Sequence, residues 1–132
     1  MAARVGIVLV SHSASLAEGT AELAGQVGGG TVTIATAGGT DDGRIGTSLV
    51  KIQRAVRLAD AGAGVLILPD LGSSVLTVRA LLAEPEDLPA QIVMADAPFV
   101  EGAVAAAVTA AAGGDLEAVL DAAQEARHAR KL

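Results

Sequence analysis

Four short apolar runs stand out along the chain: Val5-Gly6-Ile7-Val8-Leu9-Val10, Thr31-Val32-Thr33-Ile34-Ala35-Thr36, Val65-Leu66-Ile67-Leu68-Pro69 and Gln91-Ile92-Val93-Met94-Ala95. Each is rich in β-branched residues and bounded by turn formers, which predicts strands, and the first and third are apolar enough to be buried on both faces. Between them the period changes. Leu16, Leu23 and Val27, then Leu49, Ile52, Val56 and Ala59, then Val75, Val78 and Leu82 recur at helical spacing. Strands joined through helices pair in parallel, because the crossover returns the chain to the same end of the sheet. Ser15-Leu16-Ala17-Glu18 reads as a capping box for the first helix and Gly28-Gly29-Gly30 as its stop. Two further helices, Val100 to Ala112 and Leu116 to Ala129, are separated by Gly113-Gly114, with Asp115 as a cap. The expected fold class is α/β: an open, mainly parallel four- to five-stranded sheet with helices on both faces, forming one domain over residues 1–132.

Composition narrows the function. The 132 residues are 52% apolar, with 29 alanines, 16 glycines, one phenylalanine and no Trp, Tyr or Cys. Such a chain buries enough surface to offset its ordering entropy, which rules out disorder. Nine basic residues against fifteen acidic ones give a formal charge of −6, which disfavours nucleic acid as a partner. The absence of cysteine excludes disulfides and thiolate metal sites and fits a reducing, cytoplasmic setting. The longest uncharged apolar run, Ala103 to Gly114, falls short of the ~20 residues that span a bilayer. Met1 to Val10, with one arginine and a short apolar stretch, is a poor secretory signal. The alanine-rich C-terminal helices each bury little apolar area, and a second subunit covering them, hence a homodimer, is the expectation.

In an open parallel sheet ligands bind beyond the carboxyl ends of the strands. Here those ends run into Ser11-His12-Ser13, Gly38-Gly39-Thr40-Asp41-Asp42, Asp70-Leu71-Gly72-Ser73-Ser74 and Asp96-Ala97-Pro98. The topology therefore gathers His12, Gly39, Thr40, Asp70, Ser73 and Ser74 at one edge. His128 lies in the basic tail Arg127-His128-Ala129-Arg130-Lys131 and reads as a solvated helix end. His12 follows a buried strand instead. A carboxylate on Asp70, at the end of the adjacent third strand, would orient its ring, fix the tautomer and leave one nitrogen free as a nucleophile, although Asp70 also suits an Asx turn before the next helix. The loops Gly38-Gly39-Thr40 and Gly72-Ser73-Ser74 can supply amides and hydroxyls to a phosphoryl group, and the second also opens a helix, whose N-terminus favours anions. Phosphoryl transfer needs mainly positioning and charge stabilisation, so neither a metal nor another cofactor is required by this set.

Other chemistries fit less well. No G-x-x-x-x-G-K-[ST], G-x-G-x-x-G or G-x-S-x-G pattern occurs, and the scattered carboxylates Asp41, Asp42, Asp70 and Asp96 have no diagnostic metal-ligand spacing. A receiver domain would place its phosphoacceptor at Asp70, but the acidic pair after the first strand is missing. An anion-binding regulatory module would use the same loops without turnover.

The stretch Gly6-Ile7-Val8-Leu9-Val10-Ser11-His12-Ser13-Ala14-Ser15-Leu16-Ala17-Glu18-Gly19 resembles the opening of the mannose-type EIIA domains of the bacterial phosphotransferase system. The likeness continues through Gly38-Gly39-Thr40, Gly46-Thr47-Ser48, Pro69-Asp70-Leu71-Gly72-Ser73-Ser74 and Ala97-Pro98-Phe99-Val100-Glu101-Gly102. Ser-His-Ser and Leu-Gly-Ser-Ser favour the branch that serves the PEP-dependent dihydroxyacetone kinase over the sugar-importing branch, whose acceptor is an EIIB protein. The resemblance implies a mannose-type EIIA fold, with His12 as the phosphorylated histidine, Asp70 as its orienting carboxylate, and Ser73 or Ser74 as the serine of the third-strand loop. It implies phosphate arriving from PEP through enzyme I and the phosphocarrier HPr, leaving to ADP on the nucleotide-binding kinase subunit, and a homodimer. Some family members are fused to HPr-like and enzyme I-like domains; with the chain ending at Leu132, separate proteins are expected to supply them.

Overall fold

Strand β1 (Gly6–Ser11) is buried along its whole length, and its alternate side chains enter two separate cores in the computed structural model, which describes residues 3–84 and 86–132. Met1 and Ala2, at the head of the stretch read as a poor secretory signal, lie outside the described residues. Val5, just before the strand, joins Ile7 and Leu9 in a core with Leu66 and Leu68; Val8 and Val10 join Val65 and Ile67 on the other face. That period of two is what lets one strand serve both layers. The chain continues through α1 (Ala14–Val27), β2 (Ile34–Gly38), α2 (Leu49–Ala59), β3 (Val65–Pro69), α3 (Gly72–Leu82), β4 (Ile92–Met94), α4 (Phe99–Ala111) and α5 (Leu116–Glu125), ending in a 3₁₀ turn at Ala126–His128. All strand pairs are parallel, in the order β2-β1-β3-β4, so the expected α/β sheet is present with four strands. One core takes residues from α1, α4 and α5, the other from α2 and α3.

The apolar spacing of α1 does not mark its buried face. Leu16, Leu23 and Val27 form the exposed side of α1, while Ala17, Thr20 and Ala24 are buried. Small residues face inwards because α1 lies close against α4, whose buried face is Gly102, Ala103, Ala106, Ala107 and Ala110. A Cβ on Gly28 would already meet the Ala107 methyl at 3.1 Å. On α5 Val119 and Ala123 are buried within this chain as well, while Val108 of α4 and Ala118 of α5 face outwards. Local signals hold better: Asp115 Oδ1 accepts the Ala118 amide at 2.9 Å as a cap. Gly29 and Gly30 take positive φ, and the Gly30 amide bonds Gln26's neighbour Gly25 at its carbonyl at 2.9 Å, closing α1.

Close backbone approach sets the glycine requirements. A Cβ on Gly6 would lie 1.9 Å from the Ala59 carbonyl oxygen, whereas one on Gly19, within α1, meets nothing within 4 Å. Gly6→Ala is therefore expected to cost about 3 kcal/mol or more through overpacking, and Gly19→Ala to stabilise by about 0.5–1 kcal/mol through its better helix propensity. Urea unfolding midpoints measure both, and equal midpoints would contradict this packing account.

Candidate active site

The ends of β1 and β3 bring His12 and Asp70 together. The strands pair with Val10 opposite Pro69, and the Asp70 amide donates to the Val10 carbonyl at 3.0 Å, extending the pairing by one step. The Asp70 carboxylate then reaches across. Oδ1 accepts from His12 Nδ1 at 2.9 Å and from the Leu71 amide at 2.7 Å. Oδ2 accepts from the His12 amide at 3.0 Å and from Ser11 Oγ at 2.9 Å. The orienting contact is made, but the Asx turn or cap that Asp70 also suited is not: the carboxylate takes the adjacent Leu71 amide, and α3 starts after Leu71 without a side-chain cap.

These donors control the charge. Burial alone pushes the Asp70 carboxyl up, but the bonds from the His12 amide, the His12 ring, Ser11 and Leu71 outweigh it and hold the carboxyl at about 2, against an ordinary 3.8. Asp70 is consequently ionised at neutral pH. An ionised carboxylate only accepts, so in the neutral imidazole Nδ1 carries the proton and Nε2 keeps its lone pair. The side chain of Asp70 is 6% exposed and that of His12 19%, which puts the ring between a buried anion and solvent.

The two serines that the sequence leaves undistinguished part company. Ser73 Oγ is hydrogen-bonded to His12 Nε2. Ser74 is fully buried, and its Oγ lies 2.6 Å from the Leu71 carbonyl and 3.0 Å from Asp70 Oδ1, behind the carboxylate. Among the described residues the amides of Gly72 and Ser73, at the start of α3, make no intramolecular hydrogen bond. Those donors belong to the first turn of α3, which also carries the Ser73 hydroxyl that meets Nε2.

Gly39 and Thr40 are placed differently from the expected amide cradle. The Gly39 amide donates to the Ser11 carbonyl at 3.0 Å and the Thr40 amide to the Arg44 carbonyl at 2.9 Å. Thr40 Oγ1 bonds Asp42 and accepts the Arg44 amide. Both residues are spent on closing the loop that follows β2, and that loop in turn holds the site, because the Gly46 amide donates to the His12 carbonyl at 3.0 Å. The cap of α1 also shifts: Ser13 Oγ, and not Ser15, accepts the Leu16 amide at 3.2 Å, since β1 runs on to Ser11 and the helix starts at Ala14. Asp41 bonds Ser48 at the start of α2, and among the described residues no three His, Cys, Asp or Glu side chains gather to hold a metal. No helix among them is long and apolar enough to cross a membrane. Ser11 is the residue the sequence reading passed over; its signal was a polar side chain on the last position of an otherwise apolar, doubly buried strand.

Comparison with known proteins points to one family. The family model for the PTS system fructose IIA component, EIIA-man, matches residues 6–120. The chain is 40% identical over 131 residues to the phosphoryl donor subunit DhaM of the PEP-dependent dihydroxyacetone kinase of Pantoea ananatis, covering 96% of this chain and 28% of that protein. A subunit of the same name from Listeria innocua, assigned to its dihydroxyacetone kinase 2, is 38% identical over 117 residues, covering 88% of this chain and 94% of that protein. The chain thus spans a little over a quarter of the length of the first relative and nearly all of the second. A crystal structure of a protein of unknown function superposes with a TM-score of 0.80 at 38% identity, covering 93% of this chain and 95% of the other.

Asp70 has a depressed pKa, so it contributes stability that is present above pH 3.8 and is lost as the pH falls towards about 2. Asp70→Asn is expected to be about 2 kcal/mol less stable at neutral pH, from ~1.4 kcal/mol per pKa unit. The gap should narrow between pH 4 and pH 2. Urea titrations across that range measure it, and a gap that stays constant would show that the ionised form is not what stabilises the fold.

Proposed function

The chain belongs to the mannose-type EIIA family, and from that membership and the surroundings of His12 we propose that it is a phosphohistidine relay for a PEP-dependent dihydroxyacetone kinase. The observation that carries the reading is the division of the His12 ring: Nδ1 is held by Asp70 at 2.9 Å, and Nε2 faces Ser73 at the exposed edge. Nε2 is the nucleophile. Its lone pair attacks the phosphorus of phospho-HPr, the P–N bond of the donor histidine breaks, and the phosphoryl group passes to His12 while Nδ1 keeps its proton. The Ser73 hydroxyl turns from Nε2 to a phosphoryl oxygen, joined by the amides of Gly72 and Ser73 at the α3 terminus. In the second step ADP, held by the nucleotide-binding kinase subunit, takes the group from Nε2.

Asp70 orients the ring and balances the positive charge that the phosphorylated imidazole carries. Ser74 supports Asp70 from behind, and Gly39 and Thr40 shape the loop that holds the His12 carbonyl. HPr, charged by enzyme I and PEP, is the donor; the setting is cytoplasmic, and the assembly is a homodimer in which each copy carries its own His12. No metal takes part. The dihydroxyacetone branch is preferred to the sugar-importing one because the Pantoea and Listeria relatives are both named as donors to dihydroxyacetone kinases.

The test is phosphorylation by PEP, enzyme I and HPr, read as an acid-labile, alkali-stable adduct. His12→Ala is expected to abolish the adduct with the fold intact by circular dichroism, and undiminished labelling of that variant would refute the assignment. Asp70→Ala should still be labelled, but about 10- to 100-fold more slowly, because orientation is lost while the nucleophile remains. Discharge by the ADP-loaded kinase subunit and not by an EIIB protein identifies the acceptor.

A further inference from the structure

Ser11 is fully buried, yet its hydroxyl serves the site and not the sheet. Oγ donates to Asp70 Oδ2 at 2.9 Å and accepts the Ser13 amide at 3.0 Å. Ser13 is the cap of α1, and the Ser11 carbonyl accepts the Gly39 amide at 3.0 Å. One side chain therefore connects the carboxylate behind His12 to the first turn of α1 and, through its backbone, to the loop after β2. Among the described residues its one companion on Oδ2 is the His12 amide. Oδ1 by contrast is bonded by His12 Nδ1 and the Leu71 amide, with Ser74 Oγ 3.0 Å away.

A carboxylate turns about its Cβ–Cγ bond more readily the fewer donors hold each oxygen, and without Ser11 the Oδ2 atom keeps the His12 amide alone against three donors on Oδ1. When its plane turns, the acceptor offered to Nδ1 weakens, and the imidazole loses the preference for carrying its proton there. A ring with its proton on Nε2 has no lone pair at the exposed edge. We propose that Ser11 is a positioning residue that fixes the ring tautomer of His12 by locking the plane of Asp70, and so directs phosphorylation to Nε2. The inference rests on His12 being the phosphoryl acceptor, but its test needs none of the protein partners.

The probe is phosphoramidate, which phosphorylates imidazoles directly. The Nε2 lone pair attacks phosphorus, the P–N bond breaks, and ammonia leaves from the zwitterionic reagent; Nδ1 retains its proton, so the product is an imidazolium bearing the phosphoryl group. Wild-type protein is expected to give the Nε2 adduct alone by ³¹P nuclear magnetic resonance, and ¹⁵N spectra of the free protein to show the ring proton on Nδ1. Ser11→Ala should react about tenfold more slowly, yield a mixture of Nε2 and Nδ1 adducts, and show both tautomers. Ser11→Thr, which keeps the hydroxyl, should restore rate and regiochemistry to within twofold. If Ser11→Ala does not fold, Ser11→Cys, of similar volume and a weak donor, replaces it and should show the same mixture. A single Nε2 adduct formed at wild-type rate by the alanine or cysteine variant would overturn the proposal. Failure of HPr to phosphorylate the wild type, with phosphoramidate regiochemistry behaving as expected, would remove the relay and leave the role of Ser11 standing.

Discussion

The Asp70 carboxylate receives hydrogen bonds from the Ser11 hydroxyl, the His12 amide, the His12 ring and the Leu71 amide, with the Ser74 hydroxyl also within reach. Those groups belong to the end of β1, the turn into α1 and the start of α3. A buried anion is costly unless its oxygens are saturated, and here saturation is supplied by the same segments that must be held in place for chemistry. The electrostatic requirement of one side chain and the geometric requirement of the site are met by one network. His12 is oriented because Asp70 is ionised, and Asp70 is ionised because the loops converge on it.

That convergence depends on strand register. β1 and β3 are buried on both faces, and each feeds side chains to two cores. A slip of one residue would exchange the faces of every side chain in the strand and would bring another residue opposite His12. Packing far from the site, at Ile7, Leu9, Leu66 and Leu68, thus fixes the contact between His12 and Asp70. The close approach of Gly38 to the start of α1 works in the same direction, since a Cβ there would lie 2.6 Å from Ala14 Cα.

Strands were legible because β-branched runs bounded by turn formers have few other solutions; β3 occupies the residues expected of it, Val65–Pro69. β2 begins at Ile34, three residues later than its apolar run, as an edge strand paired only with β1. The inward face of α1 is not legible from its leucines, because the helix contact with α4 is too close for leucine and the buried positions are Ala17, Thr20 and Ala24. The difference between Ser73 and Ser74 was present in the sequence as helical phase. Ser74 precedes Val78 and Leu81 at intervals of four and three, which is the buried stripe of α3, while Ser73 lies one residue off it. The commitment of the Gly39 and Thr40 amides was not legible, because it depends on where Arg44 and Ser11 present their carbonyls in space.

The proposed relay would make demands that a small-molecule enzyme does not. Its nucleophile must be offered to one partner and then to another, so a deep pocket would obstruct the very exchange it exists to perform. Orientation then has to come from behind the ring and not from walls around it. The exposures divide in that way, with a His12 side chain 19% open and its Asp70 support 6% open. The start of α3, Gly72-Ser73-Ser74, brings the Ser73 hydroxyl to the open nitrogen without adding bulk. In the relay proposed here the orienting bonds are made to Nδ1 and to Asp70 and none of them to Nε2, so a group carried on Nε2 would leave without breaking them.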